Sequence, residues 1–328
     1  IHLDIDPAEV GKNRKIIPGV DVSLLGDAKK VLQELLKTLN KRKGDTKEWL
    51  EKVKSWEQEY PLDEQESEEF LTPSLVFRLL NETMQELGEE AIYTTDVGQH
   101  QMWAAQYLKI KSPRKWITSG GLGTMGFGLP AAIGAKAAVQ DLGMKNPVVC
   151  ISGDGSFQMC QQEIGTMVAH QIPVVTIILN NGNLGMVRQW QELFYNRNYS
   201  FSDLRSGTPD YAKLAEAYGI KGLRVASPKN LREIIKNAIQ LNQPIILDLE
   251  IHPEANVFPI VPPGGSNHRA EGIGLSTIPA NRNVEEYDKD VLRAPVNEIS
   301  RVVTTTNKKK ISDVKHLNLE SVKEGLKK

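Results

Sequence analysis

Two short apolar runs in this chain each lead directly into a polar turn. The run 148–152 precedes Gly153-Asp154-Gly155, and the run 174–179 precedes Asn180-Asn181, with 24 residues between the two turns. Short apolar runs bounded by turn residues are typical of strands buried on both faces of a parallel sheet. Open α/β sheets bind their ligands at the carboxyl ends of such strands. The two turns are therefore expected to lie side by side at a binding edge.

The polar groups at this edge are oxygen ligands. Asp154 offers a carboxylate, and the Asn180-Asn181 pair offers amide oxygens. Such ligands suit Mg²⁺, which completes its octahedron, at about 2.0–2.1 Å, with waters and phosphate oxygens. Each turn by itself is better explained as an ordinary turn. Together, at this spacing, they predict a diphosphate cofactor held through a magnesium ion.

A glycine-rich segment allows a different interpretation. Residues 121–126, GLGTMG, match the dinucleotide fingerprint G-x-G-x-x-G, and a helical pattern follows. A nicotinamide enzyme would place an acidic residue on the ribose about 20 residues later. Asp154 lies 28 residues beyond Gly126 and is enclosed by glycines. The spacing therefore disfavours a nicotinamide dehydrogenase.

Composition excludes several other classes. Among 328 residues, Lys plus Arg is 40 and Asp plus Glu is 41, which gives a net charge of −1. A nearly neutral chain gives no electrostatic reason to expect a nucleic-acid partner. No apolar run approaches the roughly 20 residues that span a bilayer, so no membrane partner is expected. The two cysteines, Cys150 and Cys160, do not form a disulfide framework and favour a reducing compartment.

The pattern along the chain predicts four parts. Residues 1–42 read as a small βα fragment, 43–71 as a charged connector, 72–266 as the main domain and 267–328 as a flexible tail. Within 72–266, strands alternate with helices, which predicts an α/β fold with a parallel sheet covered by helices on both faces. Because Ile1 begins inside an alternating strand pattern, an N-terminal portion is expected to be missing.

Two helix starts can be predicted from capping residues. Thr72-Pro73 combines an N-cap side chain with a proline in the first turn, where its missing N–H is harmless. Ser227-Pro228 is expected to cap a helix over 228–241 in the same way.

Four segments of the main domain carry a resemblance to a known family. They are DVGQHQMWAAQ (96–106), SGGLGTMGFGLPAAIGA (119–135), GDGSFQM (153–159) and LNNGNLGMVRQWQELFY (179–195). These segments resemble the catalytic subunits of acetolactate synthases, which are thiamine diphosphate enzymes, and IHLDIDPAEVGKN (1–13) is similar to the end of that family's FAD-binding domain. The resemblance covers about 1–266. It implies the thiamine diphosphate-binding fold, preceded by the remnant of an FAD-binding α/β domain.

The resemblance implies roles for individual residues. Asp154, Asn181 and the backbone carbonyl of Asn183 would bind Mg²⁺, and Met125, Met186 and Trp190 would serve catalysis by bending the cofactor and shaping the substrate pocket. The remaining residues implied in cofactor binding are Gln99, His100, Gly123, Thr124, Gly155, Ser156, Leu184 and Gly185. Asp4 and Asp27 match positions near the flavin.

The implied reaction is decarboxylation of pyruvate followed by carboligation to a second 2-oxo acid, either pyruvate or 2-oxobutanoate, in branched-chain amino acid biosynthesis. The implied partners are a second copy of the chain or a larger homo-oligomer and a regulatory small subunit, in the cytoplasm or plastid stroma. The family also uses a glutamate from another domain of a partner subunit, for which this sequence offers no substitute. This chain alone is therefore expected to have little or no carboligase activity. Another thiamine diphosphate-dependent 2-oxo acid decarboxylase or oxidase, or an inactive fragment, stays open as an alternative.

Overall fold

The structure is a computed structural model that describes residues 1–10, 22–39, 44–62, 67, 70–262, 265 and 270. The chain forms two units, Ile1–Pro61 and Leu62–Lys328. The predicted tail, 267–328, lies outside the described residues except for Ala270. The four-part division predicted from the sequence stays a prediction.

In the described part of the first unit, two short strands pair in parallel and two helices follow them. The strands are β1 (His2–Asp4) and β2 (Ser23–Leu25), and the helices are α1 (Ala28–Thr38) and α2 (Lys47–Glu59). The Asp27 carboxylate begins α1 by accepting a hydrogen bond of 3.0 Å from the Lys30 amide. This cap satisfies one of the helix's otherwise unpaired N–H groups.

The second unit is built on a six-stranded sheet. Its strands are β3 (Ile92–Thr95), β4 (Trp116–Thr118), β5 (Val148–Gly153), β6 (Val174–Asn180), β7 (Lys221–Val225) and β8 (Ile245–Glu250). The order across the sheet is β4-β3-β5-β6-β8-β7, and every neighbouring pair is parallel. The predicted parallel α/β fold is therefore confirmed.

Helices cover both faces of this sheet. They are α3 (Pro73–Glu86), α4 (Gln99–Tyr107), α5 (Gly128–Asp141), α6 (Asp154–Gln158), α7 (Ile164–Ala169), α8 (Gly185–Phe194), α9 (Tyr211–Ala217) and α10 (Leu231–Gln240), with a 3₁₀ turn at Gln161–Glu163. Helices α3, α4 and α10 pack on one face, and α5, α7 and α9 pack on the other. Alternate residues of β5 face each side: Val149 and Ile151 one way, Val148 and Cys150 the other. This two-sided burial explains why the central strands β5, β6 and β8 are mostly apolar. No helix within the described ranges is long and apolar enough to cross a bilayer.

The strand order creates a crevice at a defined place. From β3 the chain adds β4 on one side and then crosses over to add β5 on the other. The connections leaving β3 and β5 therefore diverge at their carboxyl ends, and this is where doubly wound sheets bind ligands. Residues 96–100 follow β3, and Asp154 follows β5.

One of the two predicted helix starts is confirmed and the other is wrong. The Thr72 hydroxyl accepts a 3.2 Å hydrogen bond from the Leu75 amide and begins α3. Helix α10 instead begins at Leu231, after Asn230 in the left-handed conformation (φ 64°). The Leu231 amide donates to the Pro228 carbonyl at 3.2 Å, so Ser227-Pro228 forms a separate turn ahead of the helix.

The cap at Thr72 gives a first prediction. Thr72→Ala is expected to lower the free energy of unfolding by about 1 kcal/mol, because it leaves an amide of the first turn without its acceptor. Thr72→Ser keeps the hydroxyl and is expected to lose less. Urea denaturation with an unchanged m-value would measure both effects. An equal loss in the two variants would show that packing of the Thr72 methyl group, and not the cap, is responsible.

Candidate active site

A cleft of about 100 Å³ opens at the carboxyl ends of β3, β5 and β6. Most of the residues predicted for the site line it: Gln99, His100, Met125, Asp154, Gly155, Ser156, Asn181, Asn183, Leu184, Gly185 and Met186. Gly123, Thr124 and Trp190 do not line this cleft. The fold thus brings together segments that are about 90 residues apart in the sequence.

Asp154 is the central acidic group of the cleft. It begins α6, is 2% exposed, and its Oδ2 atom has no hydrogen-bond partner among the described residues. Burial raises the pKa of Asp154 to about 7, although backbone N–H groups of Gly155 and Gly182 act to lower it. A buried carboxylate oxygen without a partner is costly unless a cation satisfies it.

Glycines on both sides allow Asp154 to take this position. A Cβ atom on Gly153 would lie 2.8 Å from His100 Nδ1, and one on Gly155 would lie 2.9 Å from side-chain carbons of both Leu184 and Leu204. Both distances are shorter than real Cβ contacts allow. The glycines therefore let the α6 turn approach α4 and the loop before α8.

The paired asparagines after β6 have different surroundings. Asn180 donates to Asp248 Oδ1 at 2.9 Å and accepts from the Gly182 amide at 3.1 Å, which turns it toward β8. Asn181 lines the cleft; its Oδ1 accepts from the Asn183 amide at 3.1 Å and its Nδ2 donates to Gln99 Oε1 at 3.1 Å. The second asparagine is thus the one that shares the cleft with Asp154.

His100 and Gln99 occupy the first turn of α4. His100 is 5% exposed, its Nε2 atom has no hydrogen-bond partner in the described part of the chain, and burial lowers its pKa to about 3. It is therefore neutral near pH 7. The Gln99 side chain is fully engaged within the protein, because Nε2 donates to Gln189 Oε1 at 2.8 Å and to the Ala255 carbonyl at 3.0 Å.

Asp96 anchors the glycine-rich loop, and sequence reasoning did not single it out. Its carboxylate accepts from the Gly126 amide at 2.7 Å, the Gly128 amide at 3.3 Å and the Ser152 hydroxyl at 3.2 Å. A Cβ atom on Gly128 would lie 2.8 Å from the Asp96 nitrogen. The strand end and the loop are therefore locked together, with Met125 in the cleft. The only signal in the sequence was the aspartate at a strand end ahead of closely spaced glycines.

The remaining predicted residues are described by their local conformation, hydrogen bonds and exposure. Gly123 takes a left-handed conformation (φ 64°), and the Thr124 amide donates to Ser119 Oγ at 3.0 Å. The Ser156 hydroxyl donates to the Val97 carbonyl at 2.9 Å. Trp190 lies one turn of α8 beyond Met186 and is 41% exposed. In the first unit, the Asp4 carboxylate accepts from the Asp6 amide and the Asp27 carboxylate caps α1, so both make local contacts.

The chemistry of the cleft suits a hard cation. No cluster of three His, Cys, Asp or Glu side chains that could hold a metal occurs among the described residues. The cleft instead combines one carboxylate with amide and carbonyl oxygens. Mg²⁺ uses such a sparse set, because it keeps waters and phosphate oxygens in its shell. The unpartnered Oδ2 of Asp154 fits this ion.

A larger cavity of about 460 Å³ is lined by Asn180, Asn181 and Gly182 together with residues at the ends of β7 and β8. Its two cations are already paired, Arg224 with Glu250 and Arg205 with Asp203. The smaller cleft is the better candidate because it contains Asp154 Oδ2, a buried carboxylate oxygen without a hydrogen-bond partner among the described residues.

Comparison with known proteins agrees with this geometry. Residues 96–249 match the family model of the thiamine pyrophosphate enzyme C-terminal TPP binding domain. The chain is 45% identical over 277 residues to the acetolactate synthase large subunit of Pyropia yezoensis, which covers 83% of this chain and 45% of that protein. It is 44% identical over 293 residues to that of Porphyra purpurea (87% and 48%) and 40% identical over 317 residues to that of Corynebacterium glutamicum (93% and 49%). The chain spans about half the length of the curated relatives it matches.

Proposed function

We propose, from the membership of this chain in the thiamine pyrophosphate enzymes and its relationship to acetolactate synthase large subunits, that it supplies the cofactor-binding domain of an acetolactate synthase. The reaction would be decarboxylation of pyruvate and carboligation to a second 2-oxo acid, pyruvate or 2-oxobutanoate, on the route to branched-chain amino acids. One observation supports this most directly: the buried Asp154 carboxylate, whose Oδ2 has no hydrogen-bond partner among the described residues, shares a cleft with Asn181 at the ends of neighbouring strands.

The residues in the cleft would hold the cofactor as follows. Asp154 Oδ2, an amide oxygen of Asn181 and the backbone carbonyl of Asn183 would bind Mg²⁺, which in turn holds the diphosphate. Neutral His100 and the first-turn amides of α4 and α6 would contact phosphate oxygens, since helix N-termini bind anions. Gly123 and Thr124, which precede Met125 and do not line the cleft themselves, would contact the pyrimidine ring. The hydrogen bonds of the Gln99 side chain support a role in positioning Asn181 instead of direct contact with the diphosphate.

Thiamine diphosphate would supply a carbon nucleophile and an electron sink when bound. The protein would supply position and a dry environment. Met125, Leu184 and Met186 line the cleft with apolar surface, and Gly185 allows close approach of the backbone. Such surface would exclude water that could protonate a reactive carbon. Trp190 is proposed to shape the pocket for the second substrate in the assembled enzyme.

Further proposals rest on the family resemblance. FAD would lie near Asp4 and Asp27, which match positions near the flavin in that family. The naming of the relatives as large subunits supports a regulatory small subunit and a homodimer or larger assembly as partners. The cytoplasm or plastid stroma is the proposed compartment.

A chimera tests the proposed activity. This chain would replace the aligned half of the Porphyra purpurea large subunit, and acetolactate formed from pyruvate would be measured with thiamine diphosphate and Mg²⁺. We expect acetolactate from the chimera and none from its Asp154→Asn variant. A folded chimera that binds the cofactor but releases acetaldehyde, or oxidises the intermediate to acetate, would support a different 2-oxo acid enzyme of this superfamily.

A further inference from the structure

A chain of buried amides runs from the proposed metal ligand into the core. Asn181 Nδ2 donates to Gln99 Oε1 at 3.1 Å, and Gln99 Nε2 donates to Gln189 Oε1 at 2.8 Å. Gln189 then makes two hydrogen bonds of 2.9 Å with the backbone of Val257, accepting from its N–H and donating to its carbonyl. The side chains of Asn181, Gln99 and Gln189 are 7%, 4% and 0% exposed, respectively. Water therefore does not compete for these bonds.

Backbone groups fix the direction of this chain. Because the Val257 N–H can only donate and its carbonyl can only accept, Gln189 must turn Oε1 to the first and Nε2 to the second. The Ala255 carbonyl likewise requires Nε2 of Gln99, which leaves Gln99 Oε1 facing Asn181. Asn181 must then present Nδ2 to Gln99. Its Oδ1 points the other way, to the side where the Asn183 amide donates.

The fixed direction has a consequence for metal binding. An asparagine binds Mg²⁺ through its oxygen, so a flipped amide would present a donor to the cation and repel it. Resting on the proposed function, we propose that Gln189 is a positioning residue that acts through Gln99 to keep the amide oxygen of Asn181 available to the metal. Gln189 does not line the cleft, and its effect on the cation is indirect.

The same series of hydrogen-bonded amides links the cleft to the segment after β8. Residues 255–257 fix both glutamines, and α8 carries Gln189 three residues after Met186. The geometry thus explains why Gln99 has no free side-chain donor for a diphosphate. Both N–H bonds of its side-chain amide are used to fix the orientation of the hydrogen-bonded amides.

Mg²⁺ titration of the 328-residue chain at fixed thiamine diphosphate tests the proposal. Trp103, which is buried and lines the cleft, provides a fluorescence signal. Residues that orient metal ligands typically contribute about 10–100-fold to metal affinity. Gln189→Met is expected to raise the Mg²⁺ half-saturation about 10-fold. Gln191→Met on the same helix, which removes bonds to Ser200 and Ser202 only, is expected to leave it unchanged.

Two further variants separate positioning from stability. Gln189→Glu keeps the acceptor for Gln99 and should bind Mg²⁺ nearly as the parent does, although its lost bond to the Val257 carbonyl lowers the melting temperature. In an Asn181→Ala background, Gln189→Met should have no further effect on Mg²⁺, because the ligand through which it acts is gone. If Gln189→Met does not fold, Gln99→Met removes the same link and carries the same expectation.

The outcomes are distinguishable. Equal effects of Gln189→Met in the two backgrounds, or an unchanged half-saturation, would overturn the positioning role and leave the proposed function intact. Failure of the unsubstituted chain to bind thiamine diphosphate with Mg²⁺ would overturn both.

Discussion

In the metal-free protein, Asp154→Asn is expected to raise the free energy of unfolding at pH 8 by up to about 4 kcal/mol. Burial raises the pKa of Asp154 from 3.8 to about 7, and each pH unit corresponds to about 1.4 kcal/mol. Because the folded-state pKa lies above the unfolded one, the folded state retains the proton longer. The parent therefore loses stability as pH rises from about 4 to 7, and the full cost is present above pH 7. Asparagine has nearly the same volume and no charge, so its profile should be flatter over this range.

Cofactor binding should change in the opposite direction. With thiamine diphosphate and Mg²⁺ at 100 times the dissociation constant, the parent should gain about 2.7 kcal/mol and Asp154→Asn should gain almost nothing. Chemical denaturation at pH 5 and 8, with Mg²⁺ and with EDTA, measures both effects. Asp248→Asn is the matched control, since burial raises the pKa of Asp248 too while its carboxylate faces Asn180 outside the cleft. A variant at Asp154 that keeps the Mg²⁺ response would contradict the metal assignment.

The sheet could be predicted because its signals are local. The apolar runs before Gly153 and Asn180 are long enough for strands, too short for most helices and bounded by turn residues, and they became β5 and β6 almost residue for residue. The start of α3 could also be predicted, because its capping residue, Thr72, lies directly before the helix. The start of α10 was missed because Ser227-Pro228 has the same local signature, and only the left-handed Asn230 shifts the helix start to Leu231.

The site could be predicted less completely because its bonds are long-range. Sequence similarity placed Gln99 in the cleft, but the partners that use its side chain lie 90 and 156 residues away. No local sequence pattern indicates that residues 255–257 lie against α4 in the folded protein. Trp190 illustrates the reverse case: its motif suggests a pocket residue, yet it is 41% exposed and outside the cleft lining. Its role in the substrate pocket therefore stays a prediction.

Gly185→Ala is expected to have the largest steric effect in the cleft. A Cβ atom there would lie 2.0 Å from Gln99 Oε1 and 2.6 Å from Asn181 Nδ2. Gln99 cannot withdraw without breaking its bonds to Gln189 and the Ala255 carbonyl. Overpacking of a rigid site typically costs about 1–3 kcal/mol, and breaking buried amide bonds adds to this. We expect a loss of about 3 kcal/mol or more in the free energy of unfolding, together with loss of Mg²⁺-dependent cofactor binding.

Thermal melting and Mg²⁺ titration would measure these effects, with Gly134→Ala as the control. Gly134 lies within α5 with nothing within 4 Å of the added methyl group, so alanine should stabilise that helix by about 0.4–1 kcal/mol. Gln99→Ala combined with Gly185→Ala removes the nearest obstructing atoms, those of Gln99, and frees Asn181 to move aside, so stability should partly recover relative to Gly185→Ala alone. Mg²⁺ affinity should stay low in this double variant, because Asn181 loses the partner that orients it. Normal melting and normal Mg²⁺ binding of Gly185→Ala would show instead that Gln99 rotates freely, and that the amide chain does not hold the metal ligand in place.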